Sequence, residues 1–317
     1  MLTFSHRKFT FSLLFTSFLG VSISAQVPVQ MTADQIVDKA AVQSKVYLET
    51  FKNLLSEEKK SFEIFDKKGE VKKRKAIDST FIVYQLVKDE GQIAEFRNVV
   101  AVDGKKLAST DDRAKDFFEK VVASESSQKE LDRIRDESSR YDEDFAINGL
   151  TLFQSISVSD QLRKAFMFSL TGKEMNGGME TYVVSYEQSS ASPSITVNGS
   201  GSHNYDIEID GDKTELNTRI RGKLWIDAAT FNVRKEVRER IIQPAGFERP
   251  MLVAVDVFEY ADTEFGILTP KKITHLQYSV KTKDREARKD TKVEFTYGKF
   301  TKPDVDVKSS DVKAKDR

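Results

Sequence analysis

The side chains able to do chemistry are few in kind. Histidine occurs three times and cysteine not at all. His6 lies in a segment read below as a cleaved leader, which leaves His203 in a Gly/Ser/Asn-rich stretch and His275 on a β-patterned run. Neither has a second histidine at ligand spacing, and no H-E-x-x-H pair is present to hold zinc. The serine nucleophile elbow G-x-S-x-G, the Walker loop and the dinucleotide fingerprint are absent as well. His275 shares a strand face with Ile273 and Gln277, opposite Leu276, Tyr278 and Val280, which is the setting of a hydrogen-bonded strand histidine. The sequence therefore predicts no catalytic residue, no metal and no cofactor. Acidic residues are abundant enough to form a carboxylate pair, but folding rather than spacing decides whether two of them converge.

Two charged clusters invite binding chemistry. In Tyr205-Asp-Ile-Glu-Ile-Asp-Gly-Asp212, the residues Asp206, Glu208, Asp210 and Gly211 match the opening of an EF-hand loop. The closing position holds Asn217 instead of a bidentate glutamate. Alternation, with Ile207 and Ile209 inward and the acids in water, predicts a solvated hairpin. Lys67, Lys68, Lys72, Lys73, Arg74 and Lys75 surround a turn and predict a solvated hairpin tip. Such a tip is attracted to anionic lipid or cell-wall polymer with a strength that salt screens. Trp225, the only tryptophan, lies between Leu224 and Ile226 and is expected to pack in the core, the mouth of a cavity being its other setting. Asn198-Gly-Ser200 is a glycosylation sequon in loop-like sequence.

The elements that position these residues are mostly strands. Thr32-Ala-Asp-Gln35 has capping-box spacing, and Ile36, Ala40, Tyr47, Phe51 and Leu54 follow near helical period, predicting a helix from Thr32 to about Leu55. Strands are expected at Ser61–Phe65, Ser79–Val87 and Ile93–Val102, with turns at Lys67–Glu70 and Asp103-Gly104. The densely charged stretch 111–144 carries Phe117, Phe118, Val121 and Val122, then Leu131 and Ile134, on helical faces. It predicts a helical insertion broken at Ser124–Ser127. Further strands are expected at Ala165–Leu170, Thr181–Glu187, Tyr205–Asp210, Arg219–Asp227, Val233–Gln243, Leu252–Tyr260, Ile273–Lys281 and Lys292–Phe300, joined by hairpin turns. The run Met251–Tyr260 is apolar on both faces, with Leu252, Ala254, Phe258 and Tyr260 on one and Met251, Val253, Val255 and Val257 on the other. Such a strand must be covered on both sides.

The ends indicate compartment. Arg7 and Lys8 precede the apolar run Phe9–Ile23, and Ser22, Ser24 and Ala25 supply small residues near a cleavage site, predicting a signal peptide over 1–25. Cleavage after Ser24 is the alternative. The run falls short of the ~20 apolar residues of a spanning helix, so no transmembrane segment is expected after cleavage. Without a thiol to acylate, the mature chain is expected to be periplasmic or secreted and untethered. With no disulfide available, it must rely on core burial. Lysine plus arginine equals aspartate plus glutamate at 50 each. That balance argues against a nucleic-acid binder, which needs a net basic charge. Residues 301–317 are polar and charged and are expected to be disordered.

The hairpins of the second half carry a resemblance. Phe168–Tyr186, with its Asn-Gly-Gly turn, and Arg221-Gly-Lys-Leu-Trp-Ile-Asp227 followed by Val233-Arg-Lys-Glu are similar to paired strands of periplasmic lipoprotein-carrier-like proteins, the LolA/LolB-like superfamily. Phe258-Glu-Tyr260 and Phe265-Gly-Ile-Leu-Thr-Pro270 resemble the next pair. More narrowly, the chain is similar to larger exported bacterial proteins of unknown function. The resemblance implies an α+β fold: a curved antiparallel sheet or incomplete β-barrel, with the N-terminal helix and the helical insertion covering its open side. One such domain is expected over 26–300. It also implies a non-enzymatic protein that holds a hydrophobic ligand, a lipid or lipoprotein acyl chain, between sheet and helices. Face assignment makes Leu224, Ile226, Leu252, Phe258, Leu276, Tyr278, Phe295 and Tyr297 the expected lining, in a register that a one-residue slip would invert. The alternative is an envelope interaction or structural protein with a filled core, its partner an envelope protein meeting the charged insertion.

Overall fold

A computed structural model describes residues 31–86, 89, 93–142, 156–160, 162–189, 204–209, 212–217, 219–243, 247–281 and 286–302. The expected leader and its cleavage site, His203, the sequon and residues 303–317 lie outside the described residues. The first helix, α1 (Ala33–Thr50), opens with the expected capping box. Thr32 Oγ1 accepts the Gln35 N–H at 3.3 Å and Gln35 Oε1 accepts the Thr32 N–H at 3.0 Å, satisfying two amides that a helix start leaves orphaned. The helix ends at Thr50, earlier than its apolar period suggests. Asn53 takes a left-handed φ of 53° and donates its N–H to the Val83 carbonyl, which turns the chain into the sheet. Asparagine tolerates that conformation better than most residues.

Two long strands follow, β1 (Leu54–Phe65) and β2 (Val71–Gln85), and then β3 (Ile93–Val102) and the two-residue β4 (Lys105–Lys106). After the helices α2 (Thr110–Val122) and α3 (Ser127–Ser138) come β5 (Phe166–Asn176), β6 (Met179–Gln188), β7 (Asn204–Ile209), β8 (Asp212–Asn217), β9 (Arg219–Asp227), β10 (Val233–Ile242), β11 (Met251–Asp262), β12 (Leu268–Lys281) and β13 (Glu286–Tyr297). Eleven strands form one sheet in the order β4-β3-β2-β1-β13-β12-β11-β10-β9-β6-β5, every neighbouring pair antiparallel. Its two edge strands do not pair with each other, so the sheet is open and curved rather than closed. β7 and β8 pair antiparallel as a separate two-stranded sheet, from Asn204 opposite Asn217 to Ile209 opposite Asp212, while Asp210 and Gly211 of the acidic stretch lie outside the described residues. β13 folds back beside β1, and Thr301 extends that edge by exchanging both backbone hydrogen bonds with Leu55.

α1 lies on one face of the sheet, burying Ile36, Val37, Ala40, Ala41, Ser44 and Tyr47. Beneath its C-terminal end sits the main apolar cluster, which joins Tyr47, Phe51 and Leu54 to Phe62, Ile77, Phe81, Phe258, Ile273, Phe295 and Phe300. The helical insertion breaks between Val122 and Ser127, as the serines suggested, and covers the β3 edge. Ser138 Oγ accepts the Arg97 N–H and donates to the Glu95 carbonyl, both at 3.1 Å, while Arg113 donates to the Val99 carbonyl at 2.7 Å. These bonds occupy backbone groups that an uncovered edge would offer to another chain. Phe117, Phe118, Val121, Leu131 and Ile134 pack with Phe96 and Ala94 on the sheet face opposite Arg97, whereas Val122 is left exposed. No helix among the described residues is long and apolar enough to cross a membrane.

Candidate functional site

The face under α1 can be read row by row, because residues directly opposite in antiparallel strands point to the same side. One row runs Val184, Leu224, Glu236, Phe258, Ile273, Phe295, Lys60, Ile77 across eight strands. The next runs Tyr186, Gly222, Arg238, Asp256, His275, Val293, Phe62. Among the expected lining residues, Leu224, Ile226, Phe258 and Phe295 are fully buried here. Tyr297 joins them, half-buried, with its ring edge-on to Phe81 at 5.2 Å. Leu252, Leu276 and Tyr278 are half-buried on the opposite face. For Leu252 the reason is a bulge: Arg240 pairs with Ala254 and Ile241 with Leu252, so Val253 is an extra residue that inverts the parity of the strand's start. Leu276 and Tyr278 alternate with the buried Ile273 and His275 and so point away from α1.

Charged side chains are interleaved with that apolar surface. Arg97 is buried and donates from Nε to Glu58 at 2.8 Å and from Nη1 to Glu95 at 2.7 Å. Its guanidinium lies over the rings of Phe81 (5.1 Å) and Phe295 (5.4 Å). Lys60 meets Asp142, from the turn after α3, at 2.6 Å, with each side chain only 1% exposed. Burial opposes the charge on Arg97, but the two glutamates outweigh it and hold its pKa above the ordinary arginine value. For Lys60 burial and then the Arg97 charge win, and its pKa is lowered despite Asp142.

A second network lies some strands away. Arg238 donates to both oxygens of Glu236, at 3.1 and 3.0 Å, and lies over the Phe258 ring at 4.8 Å. The Tyr186 hydroxyl donates to the same glutamate at 2.5 Å, and burial followed by the Glu236 charge pushes its pKa up. Asp256 is held between His275 Nδ1 at 2.6 Å and the Arg240 guanidinium at 3.0 Å. Burial alone would raise the Asp256 pKa, yet Arg240, His275 and Arg238 together hold it below the usual carboxylate range. His275 is thus the hydrogen-bonded strand histidine the sequence predicted, with a carboxylate partner that the sequence did not reveal. Among the described residues no group of three metal-ligating side chains is assembled.

Gly222 makes the second network possible. A Cβ at that position would meet the Tyr186 ring at 2.7 Å and press into the Val237 carbonyl oxygen, a backbone atom that cannot turn aside. Gly222→Ala is expected to destabilise the protein by about 1–3 kcal/mol through overpacking. The corresponding drop in melting temperature checks it, and an unchanged melt would mean that the close approach is not real.

Trp225 departs from expectation. It points away from the flanking Leu224 and Ile226, donates its indole N–H to Glu174 and lies under the Lys235 ammonium, 5.0 Å from ring centroid to nitrogen. It is a surface tryptophan, not a core one, because its two strand neighbours take the α1 side. Among the described residues, depressions mark the surface at two places relevant to the sheet's ends. One of about 160 Å³ sits at the β11–β12 turn and is lined by Ala261–Glu264, Thr269–Lys271 and Tyr297–Phe300. The other, about 410 Å³ and open, lies between the β1–β2 and β12–β13 hairpins, against Asp66–Gly69, Glu286, Arg288 and Lys289.

No family model matches the chain, and no curated protein does. Among solved structures it is similar to a DUF1329 family protein from Desulfovibrio piger (TM-score 0.36, 11% identity, covering 89% of this chain and 96% of that one). It is also similar to a putative outer membrane lipoprotein-sorting protein domain from Vibrio parahaemolyticus (TM-score 0.33, 9% identity, 85% and 92% covered). A third is a LolA superfamily protein from Nitrosomonas europaea (TM-score 0.28, 11% identity, 87% and 96% covered). The fold of this chain, given by its own strand order and register, is an open antiparallel sheet of eleven strands with a helix laid on one face.

Proposed function

We propose that the protein is an exported, non-catalytic binding protein that holds a hydrophobic ligand, a lipid or the acyl part of a lipoprotein, between α1 and the sheet. The observation that carries this reading is the aromatic seam beneath α1. Tyr47 stacks on Phe51 at 5.0 Å and meets Tyr260 edge-on at 5.9 Å, while Phe51 meets Phe300 at 5.8 Å. The ion pairs that tie α1 to its surroundings lie at its surface, Asp38 with Arg163 and Lys45 with Asp160. Exposed pairs of that kind contribute little, so apolar contact is what holds the helix down. An acyl chain entering the seam would replace the apolar side of α1 by similar contact, gaining roughly 25 cal/mol per Å² of surface removed from water, and outward movement of the helix would admit it.

The second reading, an envelope interaction protein with a filled interior, is favoured by the buried ion pairs on the same face. An acyl chain reaching Arg97 or Glu236 would face charges whose desolvation is offset only while their present partners stay in place. Native mass spectrometry of protein purified from its own compartment separates the two. A bound lipid or lipoprotein mass that survives mild desolvation is the expected result. A single apo mass from natively folded protein would overturn the carrier reading in favour of the filled scaffold.

A further inference from the structure

The ends of four adjacent strands form a second, independent feature. The β1–β2 turn and the β12–β13 hairpin lie at the same end of the sheet, because Ile64 pairs with Thr291 and β13 runs five residues beyond that pair to Glu286. Residues 66–75 hold six cations against Asp66 and Glu70, a net charge of +4, and residues 286–292 hold three against two, a net of +1. The whole chain sums to zero. The mature chain, without Arg7 and Lys8 of the leader, holds 48 cations against 50 acids, so the positive excess at this end is local and not a property of the whole chain.

The tip is built to keep its cations outward. Asp66 Oδ1 accepts the backbone N–H groups of Lys68 (2.8 Å) and Glu70 (3.0 Å), and Gly69 supplies the positive φ of 82° that closes the turn. The acid inside the basic stretch is thus engaged by the turn's own backbone. Lys67, Lys68 and Lys72 are exposed, and among the described residues no carboxylate is paired with their ammonium groups. Ile64, Phe65 and Val71 are half-buried beside them, and Lys289 lies over the Phe65 ring at 4.9 Å. The open depression between the two hairpins is wide enough for a phosphate headgroup.

We propose that this basic end docks on the surface of an anionic phospholipid bilayer. The charge is spread over the ends of the three neighbouring strands β2, β1 and β13, a width of about 10 Å at the usual spacing. That breadth fits a surface better than a single polymer strand, and half-exposed apolar groups among lysines suit a headgroup interface. A mature chain with 48 cations against 50 acids is not drawn to such a surface by its overall charge. The local basic cluster orients it, tip first, and the attraction acts within a Debye length. Docking needs no acyl ligand, so it stands or falls apart from the carrier reading.

Vesicle co-sedimentation tests it with the full mature chain. Vesicles of equal parts phosphatidylcholine and phosphatidylglycerol should bind the protein at low salt and release it at high salt, and pure phosphatidylcholine vesicles should not bind it. The triple variant K67Q/K68Q/K72Q should weaken binding by roughly 10- to 100-fold, as expected when several basic residues near the surface are lost. The control K52Q/K115Q/K271Q removes the same net charge from exposed lysines elsewhere and should bind nearly as wild type, with circular dichroism confirming that both variants are folded. Equal loss in both variants would overturn the assignment to this tip. Binding to soluble dextran sulfate without binding to the anionic vesicles would overturn the bilayer as its partner.

Discussion

Replacing Arg97 by methionine should cost about 3–5 kcal/mol of folding stability, the range found when one partner of a buried ion pair is removed. Methionine approaches the length of arginine and keeps contact with Phe81 and Phe295, so the loss is not chiefly one of volume. What remains is two buried carboxylates, Glu58 and Glu95, with no cation between them. Their mutual repulsion and desolvation are then uncompensated. The loss should appear as a lower urea midpoint with an unchanged slope. The triple variant Arg97→Met with Glu58→Gln and Glu95→Gln should recover most of it, because no unpaired charge is left. Arg97→Lys should fall between, since an ammonium cannot reproduce the fork that spans two glutamates. A methionine variant as stable as the wild type would show that these groups do not form the buried triad described here.

That triad also shows which parts of the molecule could be read from sequence. Ile93–Val102 and Arg219–Asp227 were legible from end to end, because β-branched and aromatic residues bounded by turns leave little alternative. α1 announced its start through Thr32 and Gln35. β1 was half hidden: Leu54 and Leu55 fall within the helix that the apolar period predicts, and Glu57-Glu58-Lys59-Lys60 then sets four charges in succession before the expected strand at Ser61. Two of those charges, Glu58 and Lys60, turn inward and are paired by Arg97 and Asp142 from elements far along the chain. In β10, simple alternation would place Val237 inside and Glu236 and Arg238 in water, whereas the structure does the reverse. A usable signal existed in the spacing. Opposite charges two residues apart on a strand, Glu95 with Arg97 and Glu236 with Arg238, fall on one face and can pair there. The bulge at Val253 left no such trace, and for that reason Leu252 is on the face opposite Phe258. Face alternation therefore placed five of the eight candidate residues on the α1 side, and it did not reveal the charges among them. An interior that buries ion pairs among aromatic rings fixes strand register more tightly than an oily one, since each slipped register would strand a charge.

Asp256→Asn should be most damaging near neutral pH and should lose its effect in acid. The native Asp256 pKa lies below that of the unfolded chain, near 3.9. A group shifted this way contributes stability that is fully present above the unfolded value and disappears as pH falls through the native one. Wild-type stability should therefore decline on acidification from about pH 5, with a slope that includes up to one proton from this site. Asparagine preserves the volume and an acceptor for His275, but removes the charge that Arg240 and His275 face. The expected cost at pH 7 is about 2–4 kcal/mol, the lower end of the buried-pair range because Arg240 keeps partial access to solvent and Arg238 retains Glu236. Urea unfolding at a series of pH values reads the difference directly. The gap between the two proteins should narrow steadily below pH 4, since protonation makes the wild-type side chain as neutral as the amide. A gap that stayed constant across that range would mean that packing around residue 256, and not the ionised carboxylate, is what the substitution disturbs. The carboxylate's role in joining β10, β11 and β12 would then have to be given up.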